Sequence, residues 1–222
     1  MDRLSIKIAV NPELYNKNPD SSELGKRIVC KSIEMIEDMG FEAFTFKKLG
    51  VAIGSNESSI YRYFDSKHAL LLFLFNWYWR WTEYRLVLTT QALDDADDKL
   101  RLAIKLLTRE ITQDNAVSYI NEVLLHRIIV AESSKVYHTK KVDEENAQGF
   151  FLSYKQVVQR VADMVLAINP AFPFPHMLIS TVIEGAHHQR YFSEHLPSLT
   201  DVEPEQNNIV TFYTDLVFKT IS

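Results

Sequence analysis

The stretch of the chain richest in chemistry is 41–71, FEAFTFKKLGVAIGSNESSIYRYFDSKHALL. Within it Asn56, Glu57, Ser58, Ser59 and Arg62 form a run of short polar side chains with one long cation. Amides, hydroxyls and a guanidinium of this kind suit hydrogen bonding to base edges in a DNA major groove. Thr45, Lys47, Lys48, Ser55, Tyr61, Tyr63 and Lys67 surround that run with hydroxyl and ammonium groups suited to phosphate oxygens. Covalent chemistry has no comparable residue set. There is no Gly-rich phosphate loop, nucleophile elbow or paired-carboxylate motif, so the sequence argues against an enzyme and against a bound cofactor. Adjacent histidines at His187 and His188 would point about 100° apart on a helix, which does not make a bidentate metal site. The single cysteine, Cys30, excludes an intrachain disulfide and argues against a cysteine-based zinc site.

The polar run needs elements to position it, and the spacing supplies them. Thr45 can cap a short helix carrying Phe46, Leu49 and Ile53. Gly54 can take the positive φ of a tight turn, and Ser55 or Asn56 can cap a second short helix carrying Ile60, Tyr63 and Phe64. Gly50 lies one turn before Gly54 and has no side chain, so the second helix can cross close to the first. Leu49, Ile53, Ile60 and Tyr63 or Phe64 would lock that crossing. Two short helices joined this way make a helix-turn-helix. Ahead of it, Ser21 or Ser22 can start a helix whose apolar stripe includes Leu24, Ile28, Met35 and Ile36 and which stops at Gly40. Behind it, Asp65-Ser66 can cap a long helix over about 67–91 that begins apolar on every side.

Composition extends this reading to the whole chain. The 222 residues are 46% hydrophobic and 24% charged, as in a globular protein of one large or two small domains. No proline occurs between Pro19 and Pro170, and no glycine between Gly54 and Gly149. Sheets need turn residues far more often. The expectation is an all-α chain of about nine helices. After the long helix these run over about 94–112, 117–131, 142–168 (with Gly149 inside), 176–195 and 203–220. Residues 1–20 form an arm broken by Asn11-Pro12 and Asn18-Pro19. A DNA-binding domain then spans 21–66, and an effector-binding and dimerisation domain spans 67–222.

The formal net charge of −5 by itself argues against nucleic-acid binding. Its distribution weakens that argument. Residues 21–70 hold seven basic and seven acidic groups, and 45–68 carry Lys47, Lys48, Arg62 and Lys67 against Glu57 and Asp65. The acidity lies in the C-terminal part. No apolar run is long enough to span a membrane and no export signal is visible, which points to the cytoplasm.

At Thr45, Gly54, Ser58-Ser59-Ile60, Tyr61-Arg62-Tyr63-Phe64 and Ser66-Lys67-His68-Ala69-Leu70-Leu71 the sequence resembles the TetR/AcrR family of bacterial transcriptional regulators. The likeness covers about 28–72. Gly50 and Ile53 stand where that family usually has a small alanine pair. The resemblance implies a homodimer paired through its last two helices, a palindromic DNA operator, and release by a small ligand bound in the C-terminal part. On this chain the pairing helices offer a close-approach point at Gly185 and Ala186 and a stripe with Ile209, Phe212, Tyr213 and Leu216. Core packing accounts for most of the aromatic residues that follow the head. The functional reading is an effector cavity touching Trp77, Trp81 and Tyr84, with Tyr119, His126 and Tyr154 on the surrounding helices. The alternative function is a helical small-ligand carrier or adaptor that keeps the head only as scaffold.

Overall fold

The computed structural model describes residues 8–113, 119–203 and 208–222. Among them there is no strand, and eleven α-helices are present: α1 (Glu23–Ala43), α2 (Phe46–Ala52), α3 (Glu57–Tyr61), α4 (Lys67–Thr90), α5 (Ala96–Thr108), α6 (Glu122–Glu132), α7 (Ser134–Tyr137), α8 (Val142–Ala147), α9 (Leu152–Ile168), α10 (Pro175–His195) and α11 (Asn208–Ile221). The starts follow from capping chemistry. Ser22, Thr45, Asn56, Asp95 and Asn121 each accept a hydrogen bond from an amide two or three residues on, which satisfies donors with no partner inside the helix. The Ser66 hydroxyl does the same for Ala69 at the start of α4, at 3.1 Å.

The helix count exceeds the expected nine for two local reasons. Gly149 takes φ 80° and interrupts the expected 142–168 helix, separating α8 from α9. Positive φ is cheap only for glycine, so this residue ends a helix here and is not a weak point inside one. Residues 134–137, expected as loop or frayed helix, form the single turn α7. α5 stops at Thr108, short of the expected 112. α6 begins at Glu122 behind its Asn121 cap, five residues after the expected 117; residue 117 itself lies outside the described residues. The expected start of the last helix at Glu203 is not helical, and α11 begins at Asn208.

Compactness divides the chain into two units. The first holds the described residues of Met1–Arg80 and Ile111–Leu152. Its core includes Ile28, Ile33, Phe44, Leu49, Ile60, Phe64 and the fully buried Leu70–Leu71 turn of α4. The ring of Phe75 packs edge-on against Tyr137 and Phe151, and the Asn76 amide donates to the Phe150 carbonyl at 2.7 Å. α6 and the residues just before it are joined to α1 by polar contacts: Arg127 of α6 pairs with Glu37 at 2.9 Å, and the Cys30 thiol donates to the carbonyl of Tyr119, ahead of α6, at 2.7 Å. Gly40 breaks α1 with φ 77°, and Glu132 of α6 accepts from the amide of Phe41 just beyond the break at 3.0 Å.

The second unit holds Trp81–Glu110 and the described residues of Ser153–Ser222. Val161, Val165, Ile179, Val182, Ile183 and Val217 form its centre. Arg190 of α10 donates to the Thr108 carbonyl at 2.7 Å, closing the C-terminal end of α5. The guanidinium of Arg101 lies 3.9 Å from the ring centroid of Phe218. No helix among the described residues is long and apolar enough to cross a membrane.

Candidate nucleic-acid interface

The corner between α2 and α3 is built by its two glycines. Gly54 adopts φ 61° and turns the chain. A Cβ on Gly50 would stand 2.8 Å from the carbonyl oxygen of Ser55, a distance real side chains do not tolerate. The backbone of the turn therefore lies directly on α2. The Ser55 amide donates to the Gly50 carbonyl at 2.8 Å and fixes that approach. Leu49, Ile53, Ile60 and Phe64 are buried at the crossing. The guanidinium of Arg27 in α1 donates to the Ile53 carbonyl and ties the corner to the first helix.

One surface of this corner is polar and open. Thr45, Lys47, Lys48, Asn56, Ser58, Tyr61 and Arg62 are exposed, and Ser55, Glu57 and Ser59 are half-buried. The Asn56 carboxamide oxygen accepts from the Ser59 amide and from the hydroxyls of Ser58 and Ser59, at 2.9, 2.9 and 2.5 Å. The cap thus orients the two serines that the sequence reading assigns to base edges. Tyr61 packs edge-on against Phe46, with centroids 5.1 Å apart, so its ring is fixed while much of it stays accessible.

Three expected phosphate ligands are placed differently. Tyr63 is only 3% exposed, and its hydroxyl is 2.7 Å from the Ser22 hydroxyl, so it belongs to the core side of the corner. The ammonium of Lys67 donates to the carbonyls of Phe41 and Glu42, at 3.0 and 3.2 Å, and Lys48 donates to the Ala43 carbonyl at 2.7 Å. Both lysines neutralise the C-terminal end of α1, where carbonyls lack helical partners. The sequence pattern marked these residues correctly as polar groups near the turn. It could not show that the end of α1 competes for them.

The arm contributes residues that sequence reasoning passed over. Leu14 and Pro19 are buried, and the ring of Tyr15 packs edge-on against Phe73. Asn16 donates from its amide to the Tyr63 carbonyl at 2.9 Å and from its side chain to Asp65 at 2.6 Å. The Lys17 ammonium lies 5.2 Å from the centroid of the Tyr63 ring. The described part of the arm therefore packs along the α3–α4 link.

The expected effector residues divide between the units. In the first, Trp77 is buried, and His126 accepts or donates a 2.9 Å hydrogen bond with the Tyr78 hydroxyl, on which its ring stacks. Tyr119 precedes α6 and is not on it. Its hydroxyl donates to Asp20, and burial, followed by the Asp20 carboxylate, pushes its pKa up. In the second unit Trp81 is fully buried with Arg85 over its ring, Tyr84 is half-buried, and the Tyr154 hydroxyl donates to Glu184 at 2.8 Å. Of the residues expected at a dimer surface, Ala186, Ile209 and Tyr213 are buried inside the protomer. A Cβ on Gly185 would collide with the Tyr213 hydroxyl, so this close approach is made within the chain. Phe212 is 58% exposed and Leu216 half-buried; these two remain at the surface.

The described residues are helical, and their glycine-turned helix pair with its open polar face is a helix-turn-helix. Residues 28–73 match the family described as bacterial regulatory proteins, tetR family. The fold is similar to that of the superantigen PfiT, at 13% identity and a TM-score of 0.58, covering 91% of this chain and 97% of that one. It is also similar to AibR in complex with isovaleryl coenzyme A and operator DNA, at 15% identity and a TM-score of 0.52, covering 87% and 97%. A third similar structure is the fatty acid degradation regulator FadR from Bacillus halodurans, at 11% identity and a TM-score of 0.53, covering 90% and 95%. No curated protein sequence matches the chain. The family likeness thus lies in residues 28–73, about a fifth of the chain, and the remainder shares with these structures its fold.

Proposed function

We propose that the protein is a cytoplasmic, one-component transcriptional repressor that binds a palindromic operator as a homodimer and is released by a small-molecule effector. The observation that carries this reading is the α2–α3 corner: a polar face with Ser58 and Arg62 exposed and Ser59 half-buried between them, held by a backbone approach that only glycine permits. The similar fold of AibR, a protein described with both an acyl coenzyme A and operator DNA, supports pairing of a DNA site with a ligand site on one chain. In the dimer, the two α3 helices would stand one helical turn of DNA apart, about 34 Å. An effector that favours another tilt of α4 would change that spacing, and a coupling of about 1–3 kcal/mol would weaken operator binding 5–150-fold. Candidate effector contacts are Trp77, Tyr119 and His126 in the first unit and Trp81, Tyr84 and Tyr154 in the second. The exposed Phe212 and the half-buried Leu216 are proposed for the dimer surface. The residues take part in binding and not in catalysis.

Selection of operators from random duplexes with the full-length protein tests the reading. The expected product is a two-fold symmetric site whose binding is lost on combining Arg62→Ala with Ser59→Ala. Failure to enrich any sequence, or unchanged binding by the double variant, would refute it. The carrier or adaptor reading draws on one observation. Of the seven cations in 21–70, five are engaged within the protein: Lys26 with Glu23, Lys31 with Glu34, Arg27 with Ile53, Lys48 with Ala43, and Lys67 with Phe41 and Glu42. A fold that binds no duplex at any salt concentration would favour that alternative.

A further inference from the structure

We propose that Lys17, in the N-terminal arm, is a ligand of the DNA sugar-phosphate backbone beside the recognition helix, at the position that Tyr63 vacates. The inference rests on the DNA-binding reading above and extends it to a residue outside the family-matched segment 28–73. Tyr63 carries the pattern of a phosphate ligand in the sequence, but its hydroxyl turns inward to Ser22. Lys17 lies over the same ring, and its side chain is exposed.

The arm holds Lys17 there on both sides. Before it, Asn16 makes three hydrogen bonds to the α3–α4 link, to the Tyr63 carbonyl, the Tyr61 carbonyl and Asp65, at 2.9, 3.4 and 2.6 Å. After it, the Asn18 side chain accepts from the Asp20 amide at 2.9 Å, and Pro19 is buried. A lysine whose backbone is fixed in advance loses less conformational entropy on binding than one on a free arm.

The local electrostatics favour an anion. The Ser22 hydrogen bond and then the Lys17 and Arg62 cations pull the Tyr63 hydroxyl pKa down, against the opposing effect of burial. The acidic groups nearby are partly engaged: Asp65 accepts from Asn16 and Asp20 accepts from Tyr119, while Glu13 remains exposed. Five head cations are tied internally, whereas Lys17, Lys47 and Arg62 are exposed on this surface, Lys17 resting against Tyr63.

The test is a salt titration of full-length protein on a duplex taken from the random-sequence selection, read by fluorescence anisotropy. Each phosphate neutralised contributes a slope of about −0.9 in log K against log salt. Lys17→Gln should make the slope shallower by about 0.9 per protomer and weaken binding about fivefold per contact at 0.15 M salt. Lys17→Arg should restore both, and Lys105→Gln, the same charge change on α5, should alter neither. A Lys17→Gln slope equal to that of the native protein, with Arg62→Gln still shallower, overturns the Lys17 assignment and leaves the DNA-binding reading standing. No salt-dependent binding by the native protein overturns both.

Discussion

The α2–α3 corner and the α10–α11 pair each contain a glycine with a neighbour pressed against it, and the neighbours differ in kind. Over Gly50 stands a backbone carbonyl, that of Ser55, in a turn fixed by Gly54. Over Gly185 stands the far end of a side chain, Tyr213. A backbone contact can be relieved only by moving a helix, whereas a tyrosine can shift by small rotations. The corner is therefore a rigid device whose outward face is set by geometry. The α10–α11 pair is a packed surface with more tolerance, and its outer side carries the exposed Phe212.

The largest effect should come from Gly50→Ala. Overpacking against backbone should cost about 3 kcal/mol and weaken DNA binding together with stability, read by urea unfolding and anisotropy. A cost no greater than that of Gly185→Ala would erase the contrast between the two glycines. Next in size is an acid effect confined to the second unit. Burial first, then the Arg190 cation and His188, push the His187 pKa down from 6.5 to about 3. Below about pH 6.5 the unfolded chain binds a proton there that the native protein refuses, so stability present above that pH is lost as the pH falls toward 3. At pH 5 the loss should be about 2 kcal/mol, and His187→Gln should remove that part of the pH dependence. In the corner, Asn56→Ala should cost about 1 kcal/mol by removing the cap of α3, and Asn56→Ser should recover most of it in the same unfolding assay. The smallest effect on the fold belongs to Phe212→Ser, within about 0.5 kcal/mol of the native protein. Analytical ultracentrifugation should nevertheless show dimer association weakened by about 30-fold, as for a buried aromatic anchor. An unchanged association constant would remove Phe212 from the proposed dimer surface.

The two regions also differ in how much the sequence disclosed. Thr45, Gly50, Gly54 and Asn56 lie within twelve residues of one another, and each acts on a neighbour three to five positions away. Spacing alone therefore reveals the corner. Gly185 and Tyr213 are far apart in the chain, and their contact turns an expected dimer seam into interior packing. Tyr119 likewise joins Asp20 because two distant segments meet, and no periodicity marks such a meeting.

By itself the sequence determined the all-helical class, the helix-turn-helix, the caps, and the left-handed turn at Gly54, because helix starts and glycine turns depend on interactions a few residues long. The tertiary structure alone decided which polar groups remain available. It turned Tyr63 inward, committed Lys48 and Lys67 to the end of α1, laid the arm along the α3–α4 link with Lys17 outward, and buried Tyr213 against Gly185. Those outcomes depend on competition for partners between segments remote in sequence, and a donor satisfied inside the fold is no longer offered to DNA or to a second subunit.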